Sequence, residues 1–110
     1  MIIRQALFEG KILPSRGPDF RAYVETNLLP MWRSFPHARE VRVMYEVDRD
    51  AGLPGIVLVL SIAFDNAEAL QEALDSSVRH ESREMTKGFL EMFEGRVRHH
   101  IYEVAHTVSA

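Results

Sequence analysis

A single α+β domain of order β-α-β-β-α-β is predicted from three features of this 110-residue sequence. Residues 55–64 read as one strand, with Ile56, Leu58, Leu60, Ile62 and Phe64 on a large apolar face. Its other face is small yet still mostly apolar, with Val57, Val59 and Ala63 around Ser61. A strand wetted on one side alternates apolar with polar residues, so the second face is expected to meet protein as well. The second feature is the clean alternation of residues 40–48, with Val41, Val43, Tyr45 and Val47 opposite Arg42, Met44 and Glu46; this is a half-buried strand. The third is a pair of apolar stripes at helical spacing, one before and one after these two strands.

Taken in order, residues 2–13 form a first strand ending at the turn cluster Pro14-Ser15-Arg16-Gly17-Pro18. Asp19 stands where a helix cap belongs, and Phe20, Val24, Leu28 and Met31 recur at helical spacing. Pro30 lacks an amide donor, so this helix is expected to end or kink near Leu29. Trp32 and Phe35 then serve as apolar anchors. Turn residues 50–55 join the second and third strands as an antiparallel hairpin. Asp65 is the expected cap of the next helix, with Glu68 three residues on and Ala67, Leu70, Ala73 and Leu74 as its buried stripe. Ser76 and Ser77 interrupt that helix, after which Met85, Phe89, Met92 and Phe93 form a further stripe that Gly95 stops. Residues 96–108 make the last strand. This order is the ferredoxin-like βαββαβ arrangement, a four-stranded antiparallel sheet with helices on one face. Its bare face, carrying Val57 and Val59, is expected to pair with a second copy, closing a two-fold barrel.

Hydrophobic residues make up 46% and charged residues 26%, the balance of a folded globular chain. A net charge of −3 offers little attraction for nucleic acid. Cysteine is absent, which removes disulfides, thiolate nucleophiles and sulfur-ligated metals. The opening residues show no secretory leader pattern, and no apolar run approaches the roughly 20 residues of a membrane helix. A soluble, cytoplasmic protein without nucleic-acid or membrane partners is expected.

Two segments go beyond periodicity, FRAYVETNLLPMW at 20–32 and FDNAEALQEALDSS at 64–77. Together they resemble the dimeric α/β-barrel superfamily, and within it the EthD-like proteins. Those proteins commonly carry an aromatic-rich first helix with a Thr-His-x-Pro-like end, then a strand followed by Phe-Asp-x-x-Glu-Ala-Leu. Asn27 stands here where that pattern usually has a histidine, and asparagine cannot exchange a proton near neutral pH. The resemblance implies a homodimer joined through its sheet faces. Functions in the superfamily range over cofactor-independent quinol monooxygenases, muconolactone isomerase-like enzymes, haem-degrading enzymes, polyketide cyclase-like proteins and stress-response proteins. Fold similarity alone does not choose among these.

Residues able to carry chemistry concentrate in the last strand. Neighbours on a strand point to opposite faces, so Val97, His99 and Ile101 share one face and Arg98, His100 and Tyr102 the other. If the first set faces the helices, His100 is the candidate catalytic base in the barrel interior, with Arg98 and Tyr102 as substrate-binding groups. The alternative reading gives His100 and Tyr102 only hydrogen bonds in the dimer interface. Arg4 is a further candidate, needing Glu46 or a bound anion as partner; Asn27 and Tyr45 complete the candidate substrate-binding set. The five histidines lack the spacing of a ligand set, so neither a metal nor another cofactor is assigned. His80, Glu81 and Glu84, interleaved with Arg79, Arg83 and Lys87, read as a solvated, salt-bridged helix face. The expected function is binding of a small aromatic or cyclic organic molecule, with cofactor-independent oxygenation or proton transfer as its catalytic form. The rival is a non-catalytic dimeric ligand-binding or stress-response module.

Overall fold

The computed structural model describes residues 1–110. Strand β1 (Ile2–Ile12) leads into helices α1 (Gly17–Tyr23) and α2 (Leu29–Arg33), which are joined by a π-helical segment, Val24–Leu28. Strands β2 (Glu40–Tyr45) and β3 (Ile56–Phe64) follow, then α3 (Ala67–Leu74), α4 (Ser77–Leu90) and β4 (Phe93–Glu103). The four strands form one sheet in the order β2-β3-β1-β4, and every pairing is antiparallel. This is the ferredoxin-like α+β arrangement expected from the element order.

Register decides which side chains meet. On the helix-covered side, Tyr45, Leu58, Phe8 and Val97 lie in one row across the sheet. The next row is Val43, Leu60, Ala6 and His99, and the one after it Val41, Ile62, Arg4 and Ile101. The bare side carries Met44, Val59, Leu7 and Arg98, then Arg42, Ser61, Gln5 and His100. The large face of β3 is therefore the one beneath the helices, where Leu58, Leu60, Ile62 and Phe64 are all buried. The expected alternation fails at the start of the strand: a bulge opposite Phe8 and Glu9 pairs Ile56 with Glu9, and Val57, expected on the other face, packs against the core. Over it pack Phe20, Val24, Leu28 and Trp32 from the first helical run and Phe89 from α4. No helix is long and apolar enough to cross a membrane.

Several local expectations change. The first helical run does not end near Leu29, although its helix type changes there. It widens into the π segment instead, and Pro30 falls in the first turn of α2, where its missing amide donor costs least. Asp19 is not a cap: it lies inside the first turn of α1 and accepts from Arg16 Nε at 3.0 Å. Asp65 does not cap either, because Arg39 holds it at 2.7 Å. Asn66 takes that place, its side chain accepting from the Ala69 amide at 2.8 Å. Asn66→Ala should therefore cost about 1 kcal/mol, the usual value of such a cap, read as a lower urea midpoint with an unchanged slope. Strand β2 ends at Tyr45 rather than at residue 48, so the connection to β3 is a ten-residue loop rather than a tight turn. Strand β4 starts at Phe93 and ends at Glu103, which leaves His106 outside the sheet.

Gly95 does not stop a helix. It lies within β4, paired with Gly10 of β1, and both have positive φ, at +156° and +151°. A side chain at either would drive into the backbone of the facing strand, Gly10 against the Glu94 carbonyl and Gly95 against that of Glu9. The pair lets the two long strands approach closely at the end of the sheet where α4 enters β4.

Candidate functional site

The row containing Ala6 creates the space for a site. A small residue flanked by Arg4 and Phe8 on β1, beside His99 rather than a large apolar side chain, leaves a gap under the helices. Trp32 from α2 and Phe35 just beyond it wall that gap, together with Leu60 and Ile62 from β3 and Val97 from β4. From α4 come Arg79, Ser82, Arg83 and Thr86, spaced so that they share one side of that helix. The result is a cavity of about 280 Å³, apolar at the Trp32 end, with Arg4, Arg79, Arg83 and His99 as its charged and titratable lining groups. A broader depression of about 380 Å³ beside His37 is lined mostly by exposed polar groups such as Arg39, Asp65 and Glu72, and offers no apolar wall.

The electrostatics of the cavity follow from its lining. No Asp or Glu lines it. Burial and the like charges of Arg79 and Arg83 lower the pKa of Arg4, which stays cationic because a guanidinium titrates far above neutrality. His99 is lowered further, from 6.5 to about 4, first by loss of hydration and then by Arg4, Arg79 and Arg83. It is exposed by area, so the added positive charge of an imidazolium is disfavoured without the ring being sealed away. At neutral pH it is an uncharged imidazole with one donor and one acceptor nitrogen.

A lowered histidine pKa makes stability rise with pH. Between about 6.5 and about 4 the unfolded chain binds more protons at this position than the folded one. The contribution of His99 is thus intact above pH 6.5 and is lost as pH falls toward 4. Urea midpoints measured from pH 7 down to 5 should decline in the wild type and decline less in His99→Gln. Glu9, Glu46 and Asp65 have pKa values lowered by their hydrogen bonds, so their losses fall below this window.

The six residues singled out in the sequence fall in four places. Arg4 lines the cavity. Its suggested partner Glu46 is not near; that carboxylate binds Arg49 and the Ile56 amide instead. Arg98, His100 and Tyr102 lie together on the bare sheet face. There Arg98 Nη1 is 3.2 Å from His100 Nε2, and the Tyr102 hydroxyl is 3.4 Å from His100 Nδ1. Arg98 also donates to Glu9 at 3.1 Å, and Arg96 donates to the same carboxylate at 2.7 Å. The two arginines lower the pKa of Glu9, Arg96 foremost through its hydrogen bond. Asn27 lies on the outer side of the first helical run, by Tyr23 and Gly88. Tyr45 is at the other end of the sheet, its ring under the Arg21 guanidinium at 4.1 Å and edge-on to Phe20. Its hydroxyl is buried without a partner, and burial raises its pKa.

Arg79 and Arg83, which the sequence presents as part of a solvated, salt-bridged helix face, line the cavity instead, and His99 rather than His100 lies beside them. Arg79 and Arg83 are four apart, with Ser82 between and Thr86 following, and this polar stripe runs beside the apolar stripe of Val78, Met85 and Phe89. The absence of an acid from that stripe is the one signal that distinguishes it from a salt-bridged surface. No cluster of His, Asp and Glu suited to a metal ion occurs.

No family model matches the sequence, and no curated protein matches it. Solved structures do match. An EthD family protein from Bacillus halodurans superposes with a TM-score of 0.76 at 22% identity, covering 94% of this chain and 98% of that one. A dimeric ferredoxin-like protein of unknown function from Thermobifida fusca gives 0.67 at 16% identity, over 94% and 90%. SnoaB, a cofactor-independent oxygenase from Streptomyces nogalater, gives 0.67 at 12% identity, over 99% and 97%. Likeness at these identities extends to the fold, and in fold this chain is of the same ferredoxin-like kind as the EthD family protein it was expected to resemble.

Proposed function

We propose that this chain acts as a homodimer that binds a small aromatic or cyclic organic molecule in the cavity between its sheet and its helices. The observation that carries this reading is the joining of apolar walls (Trp32, Phe35, Leu60, Ile62) to convergent polar groups (Arg4, Arg79, His99) in one half-enclosed space. The dimeric Thermobifida fusca protein of the same fold supports the assembly. So does the bare sheet face, where Leu7 and Val59 lie side by side and Met44 and Tyr102 are exposed. In such a dimer the His100, Tyr102 and Arg98 cluster lies in or beside the subunit contact, and its hydrogen bonds serve the interface.

The sole tryptophan of the chain lines the cavity and is 2% exposed, which makes its emission a reporter of occupancy. Titration with cyclohexane carboxylate, which does not fluoresce, should change the Trp32 emission saturably. Ala6→Leu, which places a larger side chain at the cavity floor, should abolish that change while the circular dichroism stays that of the wild type. Light scattering should give twice the chain mass at micromolar concentration; a monomer there would refute the assembly. If the protein turns its ligand over, His100 on the bare face is the proton acceptor, because burial and the cavity arginines disfavour a proton on His99. His100→Gln would then keep cavity binding and lose turnover, whereas a carrier shows binding without turnover in both proteins.

A further inference from the structure

The cationic lining of the cavity has no counter-charge of its own. Eight of the 13 Lys and Arg side chains in the chain form salt bridges with carboxylates. Arg4, Arg21, Arg33, Arg79 and Arg83 do not, and three of these five line the same cavity. Arg79 reaches no closer partner than the Leu74 carbonyl, at 3.4 Å. Like charges gathered in a partly dry space repel one another, and the pKa of Arg4 is lowered first by its burial and then by Arg79 and Arg83. In a protein of net charge −3, acids were available to neutralise them, yet Glu84 pairs with Lys87 on the outer side of the same helix.

We infer that the ligand is an aromatic or cyclic organic carboxylate, its charged group held among Arg4, Arg79 and Arg83 and its ring against Trp32 and Phe35. The inference rests on the ligand-binding reading above and names the class of molecule that fills the cavity. Arginine suits this task because its planar fork matches the two oxygens of a carboxylate. The remaining walls, Leu60, Ile62 and Val97, offer nothing to a fully hydrated ion and suit a ring or short hydrocarbon. His99, uncharged, adds a hydrogen bond without adding a fourth repelling charge.

Calorimetric titration of the whole chain with benzoate, benzyl alcohol and inorganic phosphate separates the contributions of ring and charge. Benzoate should bind about tenfold or more tightly than benzyl alcohol, as a charge-assisted hydrogen bond implies, and added salt should shrink that advantage. Arg4→Met should remove most of the advantage, bringing benzoate affinity down toward that of benzyl alcohol in the same variant. Arg83→Met, on an exposed position of α4, tests the same point without disturbing the sheet. Equal affinity for benzoate and benzyl alcohol would overturn the anionic assignment while the ligand-binding reading stands. Phosphate binding as tightly as benzoate would overturn the organic part of the assignment. Failure of both ring compounds to bind would overturn the two readings together.

Discussion

Phe89→Ala should cost about 3–5 kcal/mol, the range for emptying a fully buried aromatic site. Phe89 has no exposed surface and stands at the meeting point of the layers. Its ring centroid lies 5.0 Å from Phe8 on β1, 5.0 Å from Phe20 on α1 and 5.7 Å from Phe93 on β4. Truncation would remove the centre of an aromatic cluster built from three separate elements, and none of them can collapse into the gap without leaving the sheet. Total stabilities of small domains run to roughly 5–15 kcal/mol, so this single change removes a large share of the total and, at the lower end of that range, nearly all of it. Chemical denaturation should show the loss as a much lower midpoint, and Phe89→Leu, which keeps most of the volume, should lose less than half as much. An Ala variant within 1 kcal/mol of wild type, on the order expected for a surface site, would mean that the aromatic cluster is not the core.

Gly95→Ala is the second large effect. At φ +156° the backbone of Gly95 lies where side chains are rarely tolerated, and its new Cβ would collide with the Glu9 carbonyl of the paired strand. Backbone strain in such a region alone costs on the order of 1–3 kcal/mol, and the collision adds to it because the obstacle is main chain rather than a flexible side chain. Gly10→Ala faces the mirror problem against Glu94. The loss should be visible in stability and also in amide hydrogen exchange, which should quicken along the Gly10–Gly95 end of β1 and β4 more than at their Ile2–Glu103 end. A Gly95→Ala protein as stable as wild type would contradict the close approach of the two strands.

These two positions mark how far the sequence could be read. Phe89 was legible because it follows Met85 by four residues on the apolar side of a helix, although Met92 and Phe93, read as continuing that stripe, lie past the helix end, with Phe93 opening β4. The apolar character of β3 likewise led to a sheet with helices on one side and a bare face on the other. Gly95 was misplaced for a physical reason: after an apolar helical stripe, glycine is the common stop residue, and nothing local separates that role from a tight strand crossing. The partner that decides, Gly10, is 85 positions earlier. Asp65 and Asn66 are both good caps by type. Their roles are divided by Arg39, which takes the aspartate and leaves the asparagine to the helix.

The candidate site was legible only in part. Alternation in β4 correctly separated His99 from His100, but which of the two faces holds the cavity depends on a gap over Ala6 that periodicity does not reveal. Arg79 and Arg83 sit among Glu81, Glu84 and Lys87 in the sequence and look solvated there. Their side of α4 becomes distinct once Arg4 is seen beneath it, unpaired. Arg4 was singled out because a half-buried guanidinium needs an anionic partner, and Glu46, suggested for that part, instead binds Arg49 and the Ile56 amide.

The most direct measurement of the site is a crystal structure of the protein soaked with iodobenzoate, whose iodine is located by anomalous scattering. The cavity reading expects the iodine against Trp32 and Phe35 and the carboxylate beside Arg4. Iodine on the bare sheet face among Arg98, His100 and Tyr102, with the space over Ala6 empty, would contradict it.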